Sequence, residues 1–125
     1  MEKKGKKIVV AEDDKFMAKV YREKLRDEGF EVEIAFDGVE AVDKITKNKP
    51  SLVILDMIMP KKTGFDVLKE IKANPETKDI PVIILSNLGQ ASDFDKGKKL
   101  GAIDYIIKGD ESFKSVMEKI KKHLA

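Results

Sequence analysis

The chain has 125 residues, of which 42% are hydrophobic and 38% charged, a balance that fits one globular domain and excludes a membrane-like or disordered chain. Its 25 Lys and Arg nearly balance its 23 Asp and Glu, and a net charge of +2 predicts no direct binding to nucleic acid. The absence of cysteine excludes disulfides, thiolate metal sites and thiol catalysis.

The chain begins with a basic tail over residues 1–6, and residues 7–125 form one domain without an internal linker. The lysines of this head are Lys3, Lys4, Lys6 and Lys7. We expect a solvated N-terminus, with a weak contact to an anion as the alternative. Because neither a long apolar run nor a signal peptide is present, we expect a cytoplasmic protein without a membrane partner.

Short apolar, β-branched runs predict five strands, at residues 8–11, 32–35, 52–55, 82–85 and 103–107. Three of these runs are apolar almost throughout, which is typical of strands buried on both faces of a parallel sheet. Apolar residues at helical spacing follow each run and predict helices at Phe16 to Leu25, Val39 to Ile45, Phe65 to Ile71, Ala91 to Leu100 and Phe113 to Leu124. The pattern predicts an α/β fold, with one doubly wound parallel sheet and helices on both faces.

Carboxylates follow two of the predicted strands. Glu12, Asp13 and Asp14 come after the first strand, and Asp56 comes after the third. Because the carboxyl ends of parallel strands share one edge, these groups would repel one another unless a hard divalent cation such as Mg²⁺ is bound. Taken alone, the acidic run is also typical of a helix start and Asp56 of a turn, and we assign Asp14 to the helix cap.

A hydroxyl and an ammonium group follow two further strands, so that four of the five strand ends carry polar groups. Ser86 comes after the fourth strand and Lys108 after the fifth. Either residue alone suits a loop hydroxyl or a surface charge. Together with the carboxylates, they supply the parts of a phosphoryl-transfer site.

The sequence resembles the receiver domains of bacterial response regulators over residues 7–124. The matching segments are 8–14, 52–60, Gly64, 82–86 and 101–108. The resemblance implies a flavodoxin-like sheet of strand order 2-1-3-4-5. It also implies that Asp56 accepts a phosphoryl group from a sensor histidine kinase or a phosphotransfer protein.

The resemblance implies a role for each further site residue. The expected ligands of Mg²⁺ are Glu12, Asp13, Asp56 and the backbone carbonyl of Ile58. Ser86 and Lys108 would bind the phosphoryl oxygens. The protein would then be a phosphoacceptor that slowly dephosphorylates itself, and not a turnover enzyme.

The resemblance also implies a conformational switch. Movement of Ser86 would be coupled to an inward turn of Tyr105, which remodels the surface of the fourth helix, fifth strand and fifth helix for a downstream protein. Tyr105 also suits an ordinary strand aromatic. No effector sequence follows the fifth helix, so we expect either a domain that acts alone or a fragment of something larger.

Some positions depart from the usual receiver pattern. Gly109 replaces a proline that is often preceded by a cis bond, so the loop that carries Lys108 is freer. Asn87 replaces a small residue beside the phosphoryl site. Ile58 and Leu88 are apolar where some fast-hydrolysing relatives have polar groups, which predicts a long-lived phosphoaspartate.

Three functions other than phosphotransfer are alternatives for this fold. A phosphatase of the haloacid dehalogenase type needs a second aspartate at the position of Ile58. A flavodoxin-like cofactor site needs a phosphate-binding loop, where the acidic run would repel the ligand. The remaining alternative is a receiver-derived protein-interaction module that is not phosphorylated.

Overall fold

The computed structural model describes residues 6–124, and strands and helices alternate strictly along this part of the chain. The strands are β1 Lys7–Ala11, β2 Glu31–Ala35, β3 Leu52–Leu55, β4 Val82–Ser86 and β5 Asp104–Ile107. The helices are α1 Lys15–Asp27, α2 Gly38–Asn48, α3 Gly64–Ala73, α4 Ala91–Lys99 and α5 Phe113–Leu124. The five predicted βα units are therefore confirmed.

All strands pair in parallel in one sheet of order β2-β1-β3-β4-β5. In the centre of the sheet, Val10 of β1 lies opposite Ile34 of β2 and Ile54 of β3. The predicted doubly wound, flavodoxin-like sheet is confirmed. Because the strands run in one direction, their carboxyl ends form one edge of the sheet and their amino ends form the other.

The core lies in two layers, one on each face of the sheet. On one face, Tyr21 and Leu25 of α1 pack with Met117 and Ile120 of α5. On the other face, α2 and α3 supply the buried side chains of Ala41, Ile45, Val67, Leu68 and Ile71. Each Å² of apolar surface that is buried stabilises the fold by about 25 cal/mol. These two layers are therefore the main source of stability.

Polar side chains define the helix starts near the carboxyl edge. Asp14 caps α1 by accepting hydrogen bonds from the backbone N–H groups of Phe16 and Met17, at 2.9 and 3.2 Å. Asp37 caps α2 through the N–H of Glu40, at 2.8 Å. These bonds satisfy backbone donors that the first helical turn leaves unpaired. The assignment of Asp14 to a helix cap is confirmed.

Several apolar side chains lie outside the stripes in which the sequence pattern places them. Phe16 is 72% exposed, because the buried face of α1 is formed by Ala18, Tyr21 and Leu25. Ile103 is exposed and precedes β5, although its N–H still donates to the carbonyl of Val82 at 2.9 Å. The predicted strand therefore begins one residue too early.

The basic head is described only from Lys6 onward, and Lys3 and Lys4 lie outside the described residues. Lys6 Nζ donates to the carbonyl of Leu124 at 2.9 Å, and Lys7 Nζ donates to Asn48 Oδ1 at 3.0 Å. Between residues 6 and 124, no helix combines the length and apolar character needed to cross a bilayer.

Candidate functional site

Four of the predicted site residues lie at the carboxyl ends of neighbouring strands. Glu12 directly follows β1, Asp56 follows β3, Ser86 is the last residue of β4 and Lys108 follows β5. Glu12 and Asp56 are only 3% and 6% exposed, and Ser86 is fully buried. The parallel register therefore brings these polar groups to one place, in a setting where each charge needs a partner.

Lys108 joins the two buried carboxylates. Its Nζ lies 2.5 Å from Glu12 Oε1 and 2.8 Å from Asp56 Oδ2. Burial by itself would lower the pKa of Lys108, but its hydrogen bonds to Asp56 and Glu12 raise that pKa above the ordinary value. Lys108 is therefore held in its charged form beside the phosphoacceptor candidate.

The same surroundings also shift the pKa of the Glu12 carboxyl group. Burial raises the pKa of Glu12, and the hydrogen bond from Lys108 offsets only part of this effect. The carboxylate of Asp56 raises it further. Because one ammonium group lies against two buried carboxylates, a further cation would be favoured at this place by charge.

The residues present fit a divalent cation. Glu12, Asp13 and Asp56 each offer a carboxylate oxygen, and these oxygens lie within 4.8 Å of one another. Mg²⁺ prefers hard oxygen ligands and is often bound through one or two carboxylates with water filling its other positions. Asp13 is exposed, so the cluster opens to solvent on the side from which an ion and its waters would enter.

Backbone N–H groups hold the site residues in place. Asp56 Oδ1 accepts from the N–H of Ile58 at 3.2 Å, and Ser86 Oγ accepts from the N–H of Leu88 at 3.3 Å. Each bond spans two residues and bends the chain just after its strand, as in an Asx or Ser turn. Ile58 therefore lies beside Asp56, while the role of its carbonyl in metal binding stays a prediction.

The loop after Lys108 has a backbone conformation at Gly109 that favours glycine. Gly109 has a φ of +86°, and open space surrounds the position that a Cβ would occupy. No cis peptide bond occurs between residues 6 and 124. Lys108 makes two ion pairs, and its N–H donates to the carbonyl of Ser86 at 2.9 Å. The greater freedom of this loop stays a prediction.

Tyr105 lies on β5 next to α4 and is partly buried. Its hydroxyl donates to the carbonyl of Leu88 at 2.6 Å, and its ring packs edge-on against Phe94 with centroids 4.6 Å apart. Gly97 permits this packing, since a Cβ there would lie 2.6 Å from Ile84 Cδ1 and 3.3 Å from the Tyr105 ring. The sequence did not predict the hydrogen bond from Tyr105 to the Leu88 carbonyl, because no sequence pattern indicates it.

The comparisons with known proteins agree with this geometry. The family described as "Response regulator receiver domain" matches residues 8–121. Among solved structures, a CheY-like receiver domain protein from Methanospirillum hungatei superposes with a TM-score of 0.89 at 26% identity, covering 96% of this chain and 94% of that one. A putative response regulator from Chloroflexus aurantiacus gives 0.88 at 30% identity, covering 97% and 98%.

Similar sequences include longer regulatory proteins. The phosphate regulon transcriptional regulatory protein PhoB of Rhizobium meliloti is 35% identical over 102 residues, which are 82% of this chain and 45% of that protein. The probable transcriptional regulator ycf27 of Cyanophora paradoxa is 39% identical over 108 residues, which are 86% of this chain and 44% of that protein. The chain thus spans less than half the length of these relatives. By its fold, its strand-end residues and these matches, the chain belongs to the response regulator receiver domain family.

Proposed function

We propose that this receiver domain accepts a phosphoryl group on Asp56 from the phosphohistidine of a sensor histidine kinase or a phosphotransfer protein, with Mg²⁺ bound. The observation that carries the proposal is the pair of buried carboxylates bridged by Lys108, with the third carboxylate of Asp13 close by. Structural ion pairs are seldom built from two buried acids and one base, because the desolvation of the extra charge is costly. A site that receives a metal ion and an anion explains the arrangement.

The chemical step follows from the positions of the side chains. An oxygen of Asp56 attacks phosphorus, the bond between phosphorus and the donor's imidazole nitrogen breaks, and that nitrogen keeps the electron pair. Lys108 stabilises the charge on the phosphoryl oxygens, and Ser86 offers them a hydroxyl donor. Bound Mg²⁺, held by Glu12, Asp13 and Asp56, would supply a Lewis acid for the same oxygens.

The acyl phosphate on Asp56 is expected to be long-lived. Ile58 and Leu88 flank the site through their N–H bonds to Asp56 and Ser86, and both side chains are apolar. Neither can orient or deprotonate an attacking water. We expect Ile58→Asn to shorten the lifetime roughly tenfold, measured as phosphate release, whereas a lifetime of seconds in the unchanged protein would exclude this account.

The output of the switch is proposed at the surface that includes Tyr105. This residue contacts both α4, through Phe94, and the loop after β4, through the Leu88 carbonyl. A shift of Ser86 toward a phosphoryl group would move that loop and change the position of Tyr105. A downstream protein that binds α4, β5 and α5 would then distinguish the two states.

Intact-mass spectrometry after incubation with acetyl phosphate and Mg²⁺ tests the proposal. We expect the unchanged protein to gain one phosphoryl group and Asp56→Asn to gain none. Asp66→Asn, which alters an exposed residue at the start of α3, is the matched control and should react like the unchanged protein. Equal modification of Asp56→Asn and the unchanged protein would refute the assignment of Asp56.

A receiver-derived interaction module that is not phosphorylated is the second candidate. The feature that favours it is Gly109, which leaves the loop after Lys108 without the rigid proline of its relatives. Absence of any phosphoryl gain, in a protein that binds Mg²⁺ and is folded by circular dichroism, would select this second candidate.

A further inference from the structure

The amino ends of the strands form a second polar edge, opposite the phosphoacceptor site. Contacts between distant parts of the chain show that the helix ends meet there. Lys6 reaches the carbonyl of Leu124 at the end of α5, and Lys7 reaches Asn48 at the end of α2. Lys121 of α5 pairs with Glu28, just after α1, at 2.8 Å. The ends of three helices and the start of β1 therefore share one edge.

Basic side chains lie in the last turn of every helix. They are Lys24 and Arg26 in α1, Lys47 in α2, Lys72 in α3, Lys96, Lys98 and Lys99 in α4, and Lys121, Lys122 and His123 in α5. The ammonium groups of Lys24 and Lys96 lie over the rings of Phe113 and Phe65, in the first turns of α5 and α3, and are left out of the surface defined here. We call the other residues, with Lys6, Lys7, Lys49 and Lys78 from the adjoining segments, the basic edge. In the sequence they are dispersed, and only the parallel fold gathers them.

Interactions with helix dipoles explain part of this pattern but not all of it. A cation near a helix C-terminus contributes about 0.3–1 kcal/mol, and one residue per helix is sufficient for that. Here α1, α4 and α5 carry two or more each. Some members of the edge are exposed and make no ion pair with any residue between 6 and 124, namely Arg26, Lys98, Lys99 and Lys122.

The electrostatic field at the basic edge is little affected by the carboxylates of the phosphoacceptor site. A strand of five residues such as β1 is about 16 Å long at about 3.3 Å per residue, and the helices add to this separation. The Debye length at physiological ionic strength is about 8 Å. The carboxylates at the opposite edge are therefore screened. The basic edge itself also contains acidic residues, of which Glu28, Glu76 and Asp104 pair with Lys121, Lys49 and His123, while Asp27, Glu31 and Asp79 adjoin the same helix and strand ends. Because the basic residues outnumber these acids, a ligand there meets a local positive excess that the small net charge of the chain does not show.

The composition of the basic edge indicates the class of ligand. Protein interfaces have apolar and aromatic anchors and are depleted in lysine. We call the edge formed by the carboxyl ends of the strands, where Glu12, Asp13 and Asp56 lie, the acidic edge. Of the exposed large apolar side chains of residues 6–124, Ile103 lies beside the basic edge, and the others lie at the acidic edge or in the first turn of α4. A lysine-rich surface that is poor in such anchors suits a repeating phosphate backbone.

We propose that the basic edge binds the phosphate backbone of a nucleic-acid duplex without sequence preference. The contacts are charge pairs between exposed ammonium or guanidinium groups and phosphate oxygens, and binding releases counterions from the duplex. The bound duplex lies at the far side of the sheet from Asp56. Phosphorylation and duplex binding are therefore independent, and failure of one leaves the other intact.

Fluorescence anisotropy with a labelled 20-base-pair DNA duplex tests this proposal on the full chain, between 20 and 200 mM NaCl. The test variant combines Arg26→Gln, Lys98→Gln, Lys99→Gln and Lys122→Gln. The matched control removes the same net charge at exposed positions away from the edge, with Lys15→Gln, Lys19→Gln, Lys69→Gln and Lys114→Gln. Circular dichroism establishes that both variants are folded.

The proposal requires binding by the unchanged protein that weakens steeply with salt and is equal for two unrelated duplex sequences. It also requires at least tenfold weaker binding by the test variant, with a shallower salt dependence by about 0.9 per lost phosphate contact, and at most a twofold change in the control. Equal losses in both variants, or no binding at 20 mM NaCl, would overturn it. Tighter binding to vesicles of phosphatidylcholine and phosphatidylglycerol than to the duplex would also overturn it.

Discussion

The two edges of the sheet use charge in different ways. At the acidic edge, Glu12 and Asp56 are buried and both pair with Lys108, and these hydrogen bonds raise the pKa of Lys108 and offset part of the rise that burial causes in the pKa of Glu12. At the basic edge, side chains such as Lys99 and Lys122 are exposed and act independently. Burial, not the number of charges, therefore decides whether a charge affects stability, whereas a ligand at the surface responds mainly to the number of charges.

Removing the buried ammonium group provides the most severe test of this difference. Lys108→Met leaves Glu12 and Asp56 without their shared partner, and we expect the free energy of unfolding at pH 7 to fall by about 2–4 kcal/mol. Urea denaturation followed by circular dichroism measures this loss. Phosphorylation by acetyl phosphate should slow by about 100-fold, because one electrostatic stabiliser of the phosphoryl oxygens is lost.

The control for this variant is Lys69→Met, at an exposed position in α3. Its stability should be within about 0.5 kcal/mol of that of the unchanged protein. The loss of stability in Lys108→Met should also be smaller at pH 5 than at pH 7, because burial raises the pKa of Glu12 and the variant lacks the lysine that offsets this rise, so that Glu12 can take up a proton. A loss that is the same at both pH values would contradict the assigned electrostatic cause.

Binding of Mg²⁺ to the carboxylate cluster should stabilise the folded protein. If the dissociation constant is about 1 mM, 10 mM Mg²⁺ stabilises the folded protein by about 1.4 kcal/mol. Urea denaturation with Mg²⁺ and with EDTA measures the difference. Asp13→Asn should abolish most of this gain, whereas Asp66→Asn should retain it, and an equal gain in the two variants would exclude the carboxylate cluster as the binding site.

The exposed cations should contribute little to folding. The variant with Arg26, Lys98, Lys99 and Lys122 all changed to Gln is expected to lose at most about 1 kcal/mol of stability at 150 mM salt, since exposed charges are screened. The change of four exposed charges is thus predicted to matter less than the change of one buried lysine. A loss larger than that of Lys108→Met would remove the distinction between the edges.

The smallest effect concerns Asp37, the partly buried cap of α2. The backbone hydrogen bond from Glu40, with help from Lys61, holds the pKa of Asp37 below its ordinary value. Stability from such a group is present above the unfolded pKa near 3.8 and is lost as the pH falls through the lower folded value. Asp37→Ala should therefore lower the urea midpoint at pH 7, and by less once the pH falls through the lowered pKa of Asp37. A difference that does not change with pH would contradict this cause.

Much of the fold was predictable because periodicity and strand ends carry strong signals. The apolar runs before Glu12, Asp56 and Lys108 predicted the strands, and the parallel arrangement of the strands predicted that these three residues share one edge. The alignment of these residues is a direct consequence of parallel pairing. The same reasoning assigned Asp14 to a helix cap, as the structure confirms.

Other features depend on side-chain geometry or on distant contacts, which no local pattern encodes. The reach of Lys108 to Glu12 as well as Asp56 depends on the side-chain conformations of both acids. The exposure of Phe16 depends on which face of α1 meets the sheet. The convergence of basic helix ends is also invisible in sequence, so the expectation of no nucleic-acid binding, drawn from net charge, stays a prediction that our proposal opposes.

Localisation of the phosphoryl group is the most direct test of the central claim, that buried Asp56 is the acceptor. After treatment with acetyl phosphate, sodium borohydride reduces an aspartyl phosphate to homoserine, which peptide mass spectrometry can place in the sequence. We predict conversion at Asp56 in the presence of Mg²⁺ and almost none with EDTA. Conversion at Asp13 or at another carboxylate, or conversion at Asp56 that does not depend on Mg²⁺, would contradict the account.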